Sequence, residues 1–111
     1  MSGKSIDIEK KYEEALLFDF YGELLTDNQK EVFQEAVLED YSLAEIAEER
    51  GISRQGVHDM IRRTRALLRE YEDKLHLVSR FLKIKHDVNR IYELTEDLDI
   101  RRIAENILEE L

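Results

Sequence analysis

Between Ser53 and Arg69 the side chains able to hold a phosphate or read a base edge recur at helical intervals. Gln55, His58, Arg62, Arg65 and Arg69 fall three or four residues apart, so on a helix they line up as one stripe. Arg54 and Arg63 flank the stripe, where they could take phosphates, and Ser53 precedes it where a hydroxyl caps a helix. A guanidinium grips a phosphate or a guanine edge with two parallel donors, which an ammonium does less well. Gln55 and His58 stand near the helix start, where base edges are usually met. The alternative is a solvated charged face, its arginines pairing with Glu70, Glu72 and Asp73. Within the stretch, Asp59 would repel phosphate, and Gly56 weakens the helix interior by about 1 kcal/mol relative to alanine.

The segment that must position this stripe is Ser42 to Arg63, SLAEIAEERGISRQGVHDMIRR, which has the spacing of a helix-turn-helix. Ser42 and Glu45 form a capping box that opens a short helix. Ala47 is small enough for a second helix to cross there, and Gly51 can take the left-handed backbone that ends a helix. Val57, Met60 and Ile61 then give the i, i+3, i+4 spacing that holds a recognition helix onto its neighbours. The same trihelical core also serves proteins that contact only other proteins.

Charge is unevenly spread. The chain of 111 residues carries a net −9, yet residues 51–90 hold ten Lys/Arg against five Asp/Glu. Acidic blocks lie on either side, at −9 for residues 1–50 and −5 for residues 91–111. Phosphate binding answers to the field within a Debye length, about 8 Å at physiological salt, more than to the global sum.

With no proline, four glycines and 39% charged residues, the composition favours helices, and the length suits one domain. We expect an all-α chain of about six helical segments. Ile8 to Leu25 spaces Ile8, Tyr12, Leu16, Phe20 and Leu24 by four, with Leu17, Tyr21 and Leu25 widening the stripe. Thr26 and Gln29 make a second capping box, opening a helix to about Glu39, and Asp40 and Tyr41 make a turn. The recognition helix meets no glycine or proline after Gly56 and is expected to run some thirty residues, to about His86, a length of about 45 Å. Its apolar positions continue as a heptad seam through Ile61, Leu68, Tyr71, Leu75, Val78 and Leu82. Such a seam needs a partner: the amino-terminal helix, the carboxy-terminal segment Val88 to Leu111 folded back through Ile100, Ile103, Ile107 and Leu111, or the same helix of a second subunit in a homodimer, which is the pairing we expect. The expected organisation is one helical domain over 1–111, with the helix-turn-helix at about 26–70 and a helical extension over about 71–111.

Enzymatic readings find little footing. His58, His76 and His86 lack metal-ligand spacing, no cysteine is present, and no glycine-rich phosphate loop exists, so we expect neither a metal nor another cofactor and no catalytic residue. The apolar runs are too short to span a bilayer and the amino terminus lacks the apolar core of a signal peptide, so a cytoplasmic location without membrane insertion is expected.

The runs FDFYGELLTDNQKEVF, DYSLAEIAEERGISRQGVHDMIRRT and YEDKLHL resemble the YlxM family of small bacterial proteins described as signal-recognition-particle-associated, over about residues 8 to 80. More remotely, LTDNQKEVFQEAVLEDYSLAEIAEERGISRQGV is similar to the sigma-factor region that reads the promoter −35 element. The resemblance implies a sigma region-4-like, winged-helix-type trihelical core with a long recognition helix and a C-terminal helical arm. It further implies a cytosolic, dimeric regulator in the signal recognition particle pathway, touching the particle's RNA, the targeting GTPase or DNA. Ser53, Arg54, Gln55, Arg62 and Arg63 stand where the family pattern has them, whereas Gly56, His58 and Met60 replace an alanine, an aromatic and a polar residue. Two function classes follow, a nucleic-acid-binding regulator and a protein-interaction adaptor for the GTPase.

Overall fold

In the computed structural model, which describes residues 3–111 and side chains from Ile8 onward, two reciprocal caps set the start of the helices that matter most. Thr26 Oγ1 accepts from the Gln29 N–H at 3.2 Å while Gln29 Oε1 accepts from the Thr26 N–H at 3.0 Å. Ser42 and Glu45 repeat the arrangement at 3.1 and 3.0 Å. Both boxes stand where the sequence places them. The described residues form six α-helices and no strand: α1 (Gly3–Tyr21), α2 (Asp27–Phe33), α3 (Leu43–Arg50), α4 (Arg54–Leu75), α5 (Leu77–Leu94) and α6 (Leu98–Glu110). One compact unit runs through Leu75 and a second from His76 to Leu111.

In the first unit, α2, α3 and α4 enclose Val32, Ile46, Ala47, Val57 and Ile61, with Ala36, Val37, Leu43 and Met60 packed on that cluster. The helix from Thr26 continues past Phe33 as a π-helical turn, Gln34–Leu38, before Asp40 reverses the chain at a φ of 58°. Gly51 ends α3 at φ 67° and ψ 33°, the left-handed conformation that lets the chain turn at once into α4.

Helix α1 corrects one expected face. The residues spaced by four were expected to form its apolar stripe, yet Ile8, Tyr12, Phe20 and Leu24 are exposed. A step of four overshoots a 3.6-residue turn, so such a row winds round the helix. The buried row is Glu14, Leu17 and Tyr21, with Leu16 beside it and Leu25 just beyond the helix. Phe18 stacks on Phe33 at 5.7 Å and Tyr21 packs on Tyr71 at 5.9 Å, its hydroxyl donating to Glu72 at 2.5 Å. Glu14 lies 4% exposed and receives two bonds from Arg65, one from Nε and one from Nη2, the latter at 3.3 Å.

The recognition helix is shorter than its composition suggests. It ends at Leu75, because His76 takes a left-handed backbone at φ 57° and α5 begins anew at Leu77. The expected helix of some thirty residues therefore stops after 22. Without a glycine or proline to mark it, a break of this kind leaves no compositional trace. In the second unit α5 packs against α6, whose start is capped by Asp97 accepting from the N–H groups of Asp99 and Ile100 at 2.8 and 3.2 Å.

Two consequences can be measured. Ser42→Ala is expected to cost about 1 kcal/mol in urea unfolding, the usual value of a lost cap. The bond from the Ser42 backbone N–H, then that to its hydroxyl, holds the Glu45 carboxyl below its ordinary 4.5. A depressed carboxylate pKa stabilises the fold above the unfolded value, so the stability gap between the native chain and Glu45→Gln should be full at neutral pH and close as pH falls below about 4.5. Second, Arg65→Ala leaves the Glu14 carboxylate buried without its cation. It is expected to cost up to about 3 kcal/mol, reduced by the partial exposure of the guanidinium, and the double change Glu14→Leu/Arg65→Met should cost less than that single one in the same unfolding assay.

Candidate nucleic-acid interface

The entry to α4 is built around Ser53. Its Oγ accepts from the Gly56 N–H at 2.9 Å, and a Cβ on Gly56 would come within 3.1 Å of that oxygen. Glycine at this position leaves room for the cap. Behind it Val57 and Ile61 anchor the helix to α2 and α3, so Arg54, Gln55, His58, Arg62 and Arg63 are turned outward and exposed.

The exposed residues differ in how far they are already engaged. Gln55 Nε2 donates to Asp59 Oδ1 at 3.0 Å, and His58 Nδ1 and Arg62 Nη2 each lie 3.8 Å from the same oxygen. Asp59 is thus not a bare carboxylate facing a ligand; its charge is held among donors. Arg54 and Arg63 form no ion pair among the described residues. Arg63 borders a shallow groove between α2 and α4, lined also by Gln29, Gly56, Asp59 and Met60.

The five-residue stripe divides after Arg62. Arg65 is drawn to Glu14, and Arg69 Nη1 donates to Glu13 Oε1 at 2.9 Å. These partners come from α1, not from Glu70, Glu72 or Asp73. Glu70 instead accepts from Lys74 at 3.1 Å. Helix α1 lies along the second half of α4 and takes up its arginines there, so the open part of the stripe is its amino-terminal part. The heptad seam also separates. Ile61 and Leu68 are buried in the first unit, Tyr71 is half-buried against Tyr21, and Leu75 is exposed. Past the break, Val78 is buried and Leu82 exposed.

Arg50, unremarked in the sequence, orients the whole motif. Its Nη1 donates to Asn28 Oδ1 at 3.3 Å, and its Nη2 to Glu31 at 3.3 Å and Glu35 at 3.2 Å, tying the end of α3 to α2. Burial alone would lower the guanidinium pKa, but the bonds to Glu35 and Glu31 outweigh it and raise the value. The signal was present as a basic residue in the last turn of α3 and two glutamates four apart on the preceding helix. What sequence spacing does not say is that the two helices meet there. Among the described residues no group of three or more His, Cys, Asp or Glu is placed to hold a metal ion. No helix among them is long and apolar enough to cross a membrane.

Comparison with known proteins agrees with this geometry. A family of YlxM / p13-like helix-turn-helix proteins, UPF0122, matches residues 8–109. The match continues well past Phe81, where the resemblance read from the motifs stops, and takes in α5 and nearly all of α6. A UPF0122 protein of Acetivibrio thermocellus is 52% identical over 91 residues, covering 82% of this chain and 75% of its own. The UPF0122 protein YlxM of Bacillus subtilis is 46% identical over 89 residues, 80% of this chain and 81% of its own. A UPF0122 protein of Bacillus pumilus is 42% identical over 104 residues, 94% of each chain. With its two capping boxes, its left-handed Gly51 turn and this similarity over most of its length, the chain belongs to the UPF0122 family of YlxM-like helix-turn-helix proteins.

Proposed function

We propose that this chain is a non-enzymatic regulator that binds nucleic acid through the amino-terminal half of α4. Ser53, Arg54, Gln55, His58, Arg62 and Arg63 form the contacting surface. The observation that carries the reading is the exposure of Arg54, Arg62 and Arg63 at the start of a helix-turn-helix recognition helix, with Arg54 and Arg63 in no ion pair among the described residues. Free guanidinium groups there can each displace counterions from a phosphate. Arg65 and Arg69 serve the site indirectly, by holding α1 against α4.

The density of negative charge elsewhere suits a ligand that is held locally and released readily. In this reading, which the resemblance to YlxM proteins supports, the chain acts in the cytoplasm, in the signal recognition particle pathway. It makes the particle's RNA the first ligand to test, with duplex DNA second and the targeting GTPase as the protein partner. The active form in this reading is a homodimer.

The test is a salt titration of binding to signal-recognition-particle RNA, an unrelated RNA and duplex DNA. The native chain is compared with Arg54→Glu, Arg62→Glu and Arg63→Glu, each checked for helicity. Every lost phosphate contact should flatten the slope of log affinity against log salt by about one. Absence of binding to all three nucleic acids, or binding indifferent to the three reversals, would sink the reading and turn attention to the GTPase.

A further inference from the structure

The second unit leaves a continuous apolar face. Its 36 residues, His76 to Leu111, comprise only α5 and α6. Units below about 40 residues usually need disulfides, a metal or association to hold together. This chain has no cysteine, and the described residues contain no metal-ligating cluster. Between the helices, Val88 and Ala104 are buried. Yet Ile84, Ile91, Ile100, Ile103, Ile107 and Leu111 remain 40–58% exposed.

These six residues share one side. The short link Thr95–Asp97 makes α5 and α6 antiparallel neighbours. At about 100° per residue, Ile84 and Ile91 lie to the same rotational side of Val88 as Ile100, Ile103, Ile107 and Leu111 lie of Ala104. In antiparallel helices equal rotations about each axis bring both rows onto one face of the hairpin.

We infer that this face is where two copies of the chain associate, with α5 of each lying over α6 of the other as an antiparallel four-helix bundle. The inference rests on the homodimer reading above and supplies its surface. Charge selects the occupant. Helix α5 carries four Lys/Arg against two Asp/Glu, a net +2, and α6 carries two against four, a net −2. An isologous pairing that sets α5 on α6 brings these opposite signs together twice. It also places Arg80, near the start of α5, at the same end as Glu110 of the other copy, near the end of α6.

Sedimentation across a concentration series tests this, with light scattering as a second measure of mass. The native chain should dimerise, and Ile103→Asp/Ile107→Asp should raise the dissociation constant by about a hundredfold. Leu98→Asp, on the opposite side of α6, should leave it unchanged. Arg80→Glu and Glu110→Arg should each weaken the dimer and restore it when combined, a readout that does not depend on disturbing an apolar face. A native chain that stays monomeric overturns both the homodimer and its surface. A dimer indifferent to the isoleucine changes and to the charge swap overturns the surface alone.

Discussion

A carboxylate removed from water must keep its cation, and in this protein that requirement falls on Glu14. The pair it makes with Arg65 sets which side of α1 faces inward. Once Glu14 is turned toward α4, Leu17 and Tyr21 follow on the same face, Tyr21 meets Tyr71 and Glu72, and Glu13 is brought to Arg69. Together with the Glu13–Arg69 pair, the Glu14–Arg65 pair gives two of the stripe's arginines carboxylate partners from α1. The trihelical core can therefore carry an acidic helix alongside a basic one without cancelling the charge at the tip of α4, where Arg54, Arg62 and Arg63 remain outward.

Much of the fold was legible because its punctuation is local. A serine or threonine followed three residues later by glutamate or glutamine satisfies orphan N–H groups whatever lies around it, so both capping boxes form as written. Gly51 is likewise a statement about one residue's backbone. The expected positions that failed depend on distance or on phase. The four-spaced row of α1 drifts round the helix, and only the location of α4 shows which part of it is needed. His76 adopts a positive φ that its residue type does not announce.

The site was half legible for the same reason. That Gln55, His58 and Arg62 share a face follows from helical geometry alone. That Arg65 and Arg69 leave the group follows from Glu13 and Glu14, about fifty residues earlier in the chain, which sequence spacing within α4 cannot reveal. Arg50 is the converse case, a residue that drew no notice in the sequence and that brackets α2 to α3. Within the site, Asp59 is kept quiet by its neighbours, so a carboxylate near the recognition surface need not repel a polyanion so long as Gln55 and Arg62 stay close.

The left-handed residue at 76 has a consequence for how this chain can change in length over time. In an unbroken helix every inserted or deleted residue turns all that follows by about 100° and carries an apolar row to the wrong side. Here the rows of α5 and α6 are phased against each other across their own short link. A residue gained or lost at the junction leaves the registers on both sides intact. The boundary at His76 is thus a place where a change of length leaves the apolar rows within each unit in phase, which a change inside either helix would not.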